Sequence, residues 1–345
     1  VFHCSHQWTA AAASIEVATC MSKIAGLERG FVVNYDFDPE LAPWAPHLAP
    51  VDYSDVEAAR ATLREIMSRQ PSYAPVKPMD VTHRRIPGVS GPPVTLRIYR
   101  PSWPAEPTPA LIYPHWGGFV TGDLDTSHSS ALRIADQVGA VVVSVDYRLA
   151  PEHPFPAALD DCDAALQWVR CHAGELGIDP DRLGVGGASA GGGLAAALAL
   201  RSRDRNGPRL CFQHLVFPEL DDRLETVSAR SFVDTPMLDR ANALLSWRHY
   251  LGPATERGSA GVSYYAAPAR AEDLSGLPPT FVSVCEFDPL RDEGIAYARR
   301  LAQAGVPTQL CQYPGTFHGS IAIADASISR KMVADQIDAL RQGLR

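Results

Sequence analysis

Gly187-Ala188-Ser189-Ala190-Gly191 sets a serine among small residues, directly after an apolar run at residues 183–186 and directly before the small-residue helical stretch that begins Gly192-Gly193-Leu194. A G-x-S-x-G pentapeptide between strand and helix is a nucleophile elbow, in which a strained turn holds the serine hydroxyl ready to attack a carbonyl. Such a turn needs small neighbours on both sides, and Gly187, Ala188, Ala190 and Gly191 supply them. The start of the helix that follows also favours developing negative charge. Two other readings compete: an ordinary glycine-rich turn and a nucleotide-binding loop. Gly184-Val185-Gly186-Gly187-Ala188-Ser189 begins like G-x-G-x-x-G, but it ends in serine and lies mid-chain instead of opening a first βαβ unit, which argues against the nucleotide.

A serine nucleophile needs a general base, a carboxylate to orient that base, and donors for the oxyanion. The chain order for an elbow serine is Ser, then acid, then His. Asp288, in Phe287-Asp288-Pro289-Leu290-Arg291-Asp292-Glu293-Gly294, follows an apolar run at 280–284; His318, in Gly315-Thr316-Phe317-His318-Gly319, follows the last such run at 308–312. Asp292 and Glu293 read as helix-start residues used for capping. Glu219, Asp221 and Asp222 come after the preceding strand and are rivals for the acid. Oxyanion donors are sought in the loop after an early strand, where Tyr113-Pro114-His115-Trp116-Gly117-Gly118-Phe119 stands.

That loop resembles the H-G-G-G motif of the hormone-sensitive-lipase-like esterases, a branch of the α/β-hydrolases. Asp146-Tyr147-Arg148-Leu149-Ala150-Pro151-Glu152-His153-Pro154-Phe155-Pro156-Ala157 is similar to the family's long signature after its fourth major strand, and Asp288-Pro289-Leu290-Arg291-Asp292-Glu293-Gly294 is similar to its acid motif. The resemblance runs from about Val76 to the end, with four motifs in the family's order. It implies Ser189 as nucleophile, His318 as general base and acid, Asp288 as the group orienting the imidazole, and the backbone N–H groups of Gly117, Gly118 and Ala190 as the oxyanion hole. Three positions depart from the family. Trp116 stands where the first glycine of H-G-G-G belongs, Ala188 replaces the usual Asp or Thr, and Ser320 follows Gly319 where the family reads H-G-F. Both donor glycines are kept, so Trp116 bears on the pocket rim: it either faces substrate or fills core space. Arg148 and Glu152 read as an ion pair or helix-start brace without chemistry of their own.

The elements that must position these groups follow from the pattern. Short apolar runs at 96–99, 110–113, 141–145, 183–186, 215–217, 280–284 and 308–312 alternate with helical spacings at 127–138, 157–172, 191–205, 239–251, 292–304 and 326–345, which predicts an α/β fold with a mostly parallel sheet flanked by helices. Ahead of them a proline-rich stretch (Pro39, Pro43, Pro46, Pro50) leads to Ser54-Asp55-Val56-Glu57, read as a capping box for a helix ending near Pro71. The expected division is a leader or upstream extension at 1–20, with Met21-Ser22-Lys23 reading as a natural start; an N-terminal helical cap segment at 21–75; and an α/β-hydrolase catalytic domain at 76–345. The interval between Phe217 and Thr280 is long for a simple crossover, and a contribution from about 219–260 would add to the cap over the crevice at the strands' carboxyl ends.

With 31 Lys+Arg against 39 Asp+Glu, the net charge of −8 gives no reason to expect nucleic acid or anionic lipid as partner. No apolar run approaches the roughly 18 residues needed to span a membrane. Seven scattered cysteines without a C-x-x-C pair suggest neither a disulfide framework nor a zinc site, and His47, His83, His128, His153 and His214 have no ligand spacing. The reading is therefore a cytoplasmic serine carboxylesterase acting on small to medium acyl esters, without cofactor or metal. An amidase or acyltransferase on the same triad is the alternative; a binding-only receptor is disfavoured because such relatives lose triad members. The resemblance also suggests a homodimer through the last strand and helix.

Overall fold

The alternation of apolar runs and helical spacings becomes one eight-stranded sheet in the computed structural model, which describes residues 35–70, 72–89, 91–103 and 107–345. The expected leader, the start at Met21, the first part of the cap segment, Pro71, Cys4 and Cys20 lie outside the described residues. The strands are β1 (Met79–Ile86), β2 (Val94–Pro101), β3 (Thr108–Pro114), β4 (Val141–Asp146), β5 (Ile178–Ala188), β6 (Phe212–Val216), β7 (Thr280–Phe287) and β8 (Thr308–Phe317). Their order is β1-β2-β4-β3-β5-β6-β7-β8; β2 runs antiparallel to both neighbours, and from β4 to β8 every pairing is parallel.

Successive side chains on a strand point to opposite faces, so a sheet covered on both sides shows unbroken apolar runs. Ile98, Ile112, Val143 and Val185 pack on one face with α3 (Ala157–Cys171), α5 (Ala190–Asp204) and α8 (Arg291–Gln303). Their strand neighbours Tyr99, Leu111 and Val142, with Phe212 and Phe281, pack on the other face with α2 (His128–Val138) and α9 (Ser327–Gly343). The remaining helices among the described residues are α1 (Val56–Arg69), α4 (Ala173–Leu176), α6 (Val227–Ser231) and α7 (Arg240–Leu251).

Three local expectations shift. Strand β1 has no apolar run to announce it, because it is the sheet's edge and only Ile86 of its eight residues is buried. Helix α1 is capped by Asp55, whose carboxylate accepts from Ala58 N–H at 3.0 Å; Ser54 instead belongs to the preceding turn, its N–H donating to Asp52. A carboxylate competes well for the exposed N–H groups of a helix start. Arg148 and Glu152 do not pair with each other. Arg148 forks onto Asp161 of α3, with its Nη2 2.8 Å from Oδ1, while Glu152 reaches Arg60 of α1 at 2.7 Å.

The Arg148–Asp161 pair is nearly dry, with side-chain exposures of 16% and 1%. Removing one partner of a buried pair strands the other, so Asp161→Ala is expected to cost about 3–5 kcal/mol in urea unfolding. Glu152→Ala, which breaks a partly exposed bridge, should cost about 1 kcal/mol or less in the same experiment.

Candidate active site

Strand β5 delivers the chain to Ser189 and α5 leads it away, and the serine itself carries the bend at φ 54°, ψ −123°. This is a glycine-like conformation imposed on a serine, held because Ser189 N–H donates to Val216 O at 2.9 Å and Ser189 O accepts from Gly193 N–H and Glu219 N–H at 3.0 and 3.1 Å. The bend turns the hydroxyl out of both the sheet and the helix, towards His318.

The remaining groups arrive from the carboxyl ends of neighbouring parallel strands. Asp288 follows β7 and is wholly buried; one carboxylate oxygen accepts the Leu290 N–H at 2.8 Å and the other lies 2.8 Å from His318 Nδ1. The opposite ring nitrogen, Nε2, is 3.0 Å from Ser189 Oγ. Strand β8 runs to Phe317, further than the apolar run at 308–312 suggests, so His318 is the first residue beyond it. The Phe217 ring meets the imidazole edge-on with centroids 4.8 Å apart, and so fixes its plane.

The rival carboxylates are engaged elsewhere. Asp221 pairs with Arg223 at 2.7 Å, and Asp222 with Arg270. Glu219 lies closer to the centre, buried, with Oε1 2.7 Å from Ser246 Oγ; burial pushes its carboxyl up to about 7. Glu293 does not cap its own helix as expected: its Oε1 reaches across to the N–H groups of Leu220 and Asp221, and burial raises its carboxyl well above the ordinary range. Asp292 accepts from Ser228 N–H at 2.8 Å.

The loop after β3 is built around two left-handed glycines. Gly117 has φ +134° and Gly118 φ +57°, and a Cβ would lie 2.3 Å from Thr121 O at the first and 2.6 Å from the Tyr53 ring at the second. Both carbonyls are tied down. Gly117 O accepts from the N–H and hydroxyl of Thr121 at 3.0 and 2.9 Å, and Gly118 O from Ser246 Oγ at 3.0 Å. Ahead of them His115 stacks on Tyr147 with centroids 4.1 Å apart, donates from Nδ1 to Trp116 O, and is kept neutral by burial, its value pulled down to about 4. Trp116 is half-buried.

Chemically, the arrangement can deprotonate a hydroxyl, hold the resulting imidazolium against a buried carboxylate, and stabilise an oxyanion with N–H groups at a helix start and a glycine turn. The positions named from the motifs, Ser189, Asp288 and His318, are brought together by hydrogen bonds, and Gly117, Gly118 and Ala190 stand on the adjoining loop and helix start. Motif reasoning did not find Phe217, Tyr53 or Ser246. No spacing marks them, since each reaches the site from a different distant segment. No group of three His, Cys, Asp or Glu side chains able to hold a metal ion occurs among the described residues.

Comparison with known proteins gives three concordant findings. A family described by the alpha/beta hydrolase fold matches residues 111–322. The carboxylesterase NlhH of Mycobacterium tuberculosis is 42% identical over 298 residues, spanning 85% of this chain and 91% of that protein; the esterase LipI of the same organism is 41% identical over 273 residues, spanning 78% and 82%. Among solved structures, a bacterial heroin esterase is similar with a TM-score of 0.87 and 47% identity, covering 90% of this chain and 98% of that one.

Proposed function

Since the chain belongs to the α/β-hydrolase family, in its hormone-sensitive-lipase-like branch of bacterial esterases, and is a carboxylic ester hydrolase, we propose that Ser189, His318 and Asp288 are its catalytic triad and that it hydrolyses small to medium acyl esters. Ser189 Oγ attacks the ester carbonyl as His318 Nε2 takes its proton. The carbonyl oxygen, now negative, is received by the N–H groups of Gly117, Gly118 and Ala190. His318 then protonates the departing alcohol, and the acyl group stays on Ser189. Water, deprotonated by the same imidazole, attacks the acyl-enzyme and releases the acid. Asp288 holds the ring with Nδ1 protonated and stabilises the imidazolium. The observation that carries this reading is the relay Ser189 Oγ to His318 Nε2 at 3.0 Å and His318 Nδ1 to Asp288 at 2.8 Å.

The N-terminal segment through α1, to about residue 75, acts as a cap with a contribution from about 219–260, and residues 76–345 form the catalytic domain. Supporting this, Tyr53 N–H donates to Asn242 at 2.9 Å, His249 Nε2 meets Tyr53 O at 2.9 Å, and Met237 N–H donates to Leu48 O at 2.8 Å. No described helix is long and apolar enough to cross a membrane. The described cysteines, Cys162, Cys171, Cys211, Cys285 and Cys311, are free, which supports a reducing, cytoplasmic setting. A homodimer would pair along β8, the last strand in the sheet order, whose Leu310 is 41% exposed, with α9 alongside; sedimentation velocity tests it.

Hydrolysis of p-nitrophenyl esters from acetate to palmitate, beside an anilide and a bulky-alcohol ester, tests the substrate class. Turnover confined to the anilide, or to palmitate, would overturn the reading. On the same panel Trp116→Gly is expected to keep acetate turnover within about tenfold, because the donor glycines remain, whereas loss of an oxyanion donor costs about a hundredfold or more. The preference among acyl lengths or alcohol sizes should instead move by a few kcal/mol at most, on the order of the apolar area withdrawn. A uniform collapse across the panel would mean that Trp116 holds the loop itself, and an unchanged profile at full activity would mean that it only fills core space.

A further inference from the structure

Ser246 has one hydroxyl hydrogen and two neighbours that ordinarily accept. Its Oγ lies 3.0 Å from the carbonyl oxygen of Gly118 and 2.7 Å from Oε1 of Glu219, and both side chains are buried, at 1% and 3% exposure. A backbone carbonyl can only accept. Were Glu219 a carboxylate, the single hydrogen could serve one contact, and the other would press two acceptors together away from water. With a proton on Glu219 both contacts become hydrogen bonds, running from the carboxyl to Ser246 Oγ and from Ser246 to Gly118 O.

We propose that Glu219, in its protonated form, is a positioning residue of the oxyanion loop, acting through Ser246 to hold the Gly118 peptide in register with Ser189. The proposal rests on the reading of Gly117 and Gly118 as oxyanion donors and goes beyond it. Three observations support it. Glu219 N–H donates to Ser189 O at 3.1 Å, so one residue spans the elbow by its backbone and the oxyanion loop by its side chain. With Thr121 on Gly117 O, the peptide plane that carries the Gly118 N–H is fixed, and with Ser246 on Gly118 O the plane that follows is fixed too, so Gly118 is held from both sides. Burial favours the neutral carboxyl.

The groups whose charge acts on Glu219 come from every side. His318, beyond β8, favours ionisation when it is protonated, and Asp288, beyond β7, opposes it. Glu293 of α8 is a second buried carboxyl with its value raised, and the Glu219 charge also acts on the phenols of Tyr53, Tyr147 and Tyr250, which burial holds neutral. Raising the pH therefore removes the proton from Glu219, turns the Ser246 hydrogen to the new carboxylate and frees Gly118 O.

The test compares kcat and KM for p-nitrophenyl acetate across pH in the wild-type enzyme, Glu219→Gln, Glu219→Ala and Ser246→Ala, each normalised to the fraction of Ser189 that an organophosphonate labels. That normalisation separates the outcomes: absence of labelling at Ser189 refutes the triad, whereas normal labelling with altered turnover speaks to the loop. Glu219→Ala and Ser246→Ala should each lower kcat about 10- to 100-fold with KM within about twofold, since a misplaced donor is felt in the transition state. Glu219→Gln, whose amide still donates to Ser246, should stay within about fivefold of wild type at neutral pH and hold its kcat further into the alkaline range. The proposal is overturned if Ser246→Ala stays within about twofold of wild type in kcat, if Glu219→Gln loses as much as Glu219→Ala, or if the wild type and Glu219→Gln share one alkaline limb. Should Glu219→Ala fail to fold, Ser246→Ala and the pH profile of Glu219→Gln decide by themselves.

Discussion

Ser189→Ala is expected to yield a folded protein whose ester turnover is lower by on the order of 10⁶-fold, the loss typical of removing a triad serine. The substitution removes one oxygen and leaves the bend intact, because alanine and serine bear the same strain at φ 54°, ψ −123°. Its thermal midpoint should therefore stay close to wild type, less about 1 kcal/mol for the lost bond to His318. Ser189→Gly offers a sharper control. It is equally inactive, but glycine adopts this conformation freely, so strain on the order of 1–3 kcal/mol is relieved against about 0.5–1 kcal/mol of added chain entropy. The glycine variant should be the more stable of the two in urea unfolding. Near-full activity in Ser189→Ala, or phosphonate attached to another residue, would remove Ser189 from the mechanism. A glycine variant no more stable than the alanine variant would show that the elbow stores little strain.

How far the fold can be read from the residues depends on how each element is buried. The parallel strands announce themselves because both their faces are covered: Val141, Val142 and Val143 alternate between the two cores yet form one apolar run. Strand β1 gives no such run, since Met79–Ile86 lies at an edge and turns mostly polar side chains to water. Helix starts show a different limit. Ser54 and Asp55 are adjacent residues that can each cap a helix, and one position separates the capping box read from the residues from the cap that forms.

The site divides along the same line. Ser189, Asp288 and His318 lie where a strand's carboxyl end meets a loop, so chain order and strand ends lead to them. Of the two roles open to Arg148 and Glu152, the ion pair with each other does not form, whereas Arg148 does brace the start of α3, through Asp161 and the Ala157 carbonyl. What decides the partners is where α1 and α3 come to rest, and the spacing of the two residues carries no trace of that. Ser246 lies on α7, 128 residues from the Gly118 carbonyl it holds. Its neighbours in the chain give no hint of the role. Contacts of this kind exist only once the helix has packed, and they are where the structure adds most to the motifs.

Asp288→Asn is expected to lower kcat by about 10⁴-fold, or roughly 5 kcal/mol of transition-state stabilisation, with little change in KM. The asparagine side chain still fills the buried site and still offers an oxygen to the Leu290 N–H. Its amide, however, presents a donor to His318 Nδ1, which favours the tautomer with the proton on Nε2 and so takes away the acceptor that Ser189 Oγ requires. It also leaves the imidazolium of the transition state without the counter-charge that the wholly buried Asp288 supplies. Neither effect touches ground-state binding, which is why the loss should fall on kcat. Glu219→Gln separates this role from that of the nearest rival carboxyl: it keeps the His318–Asp288 contact at 2.8 Å and alters only the group on Ser246. Steady-state kinetics on p-nitrophenyl acetate, with the rate of phosphonate labelling as an independent measure of serine reactivity, distinguishes the two. If the large loss appeared in Glu219→Gln while Asp288→Asn stayed nearly silent, the orienting acid would be Glu219, after β6, and the hydrogen bond from His318 to Asp288 would belong to the fold and not to the reaction.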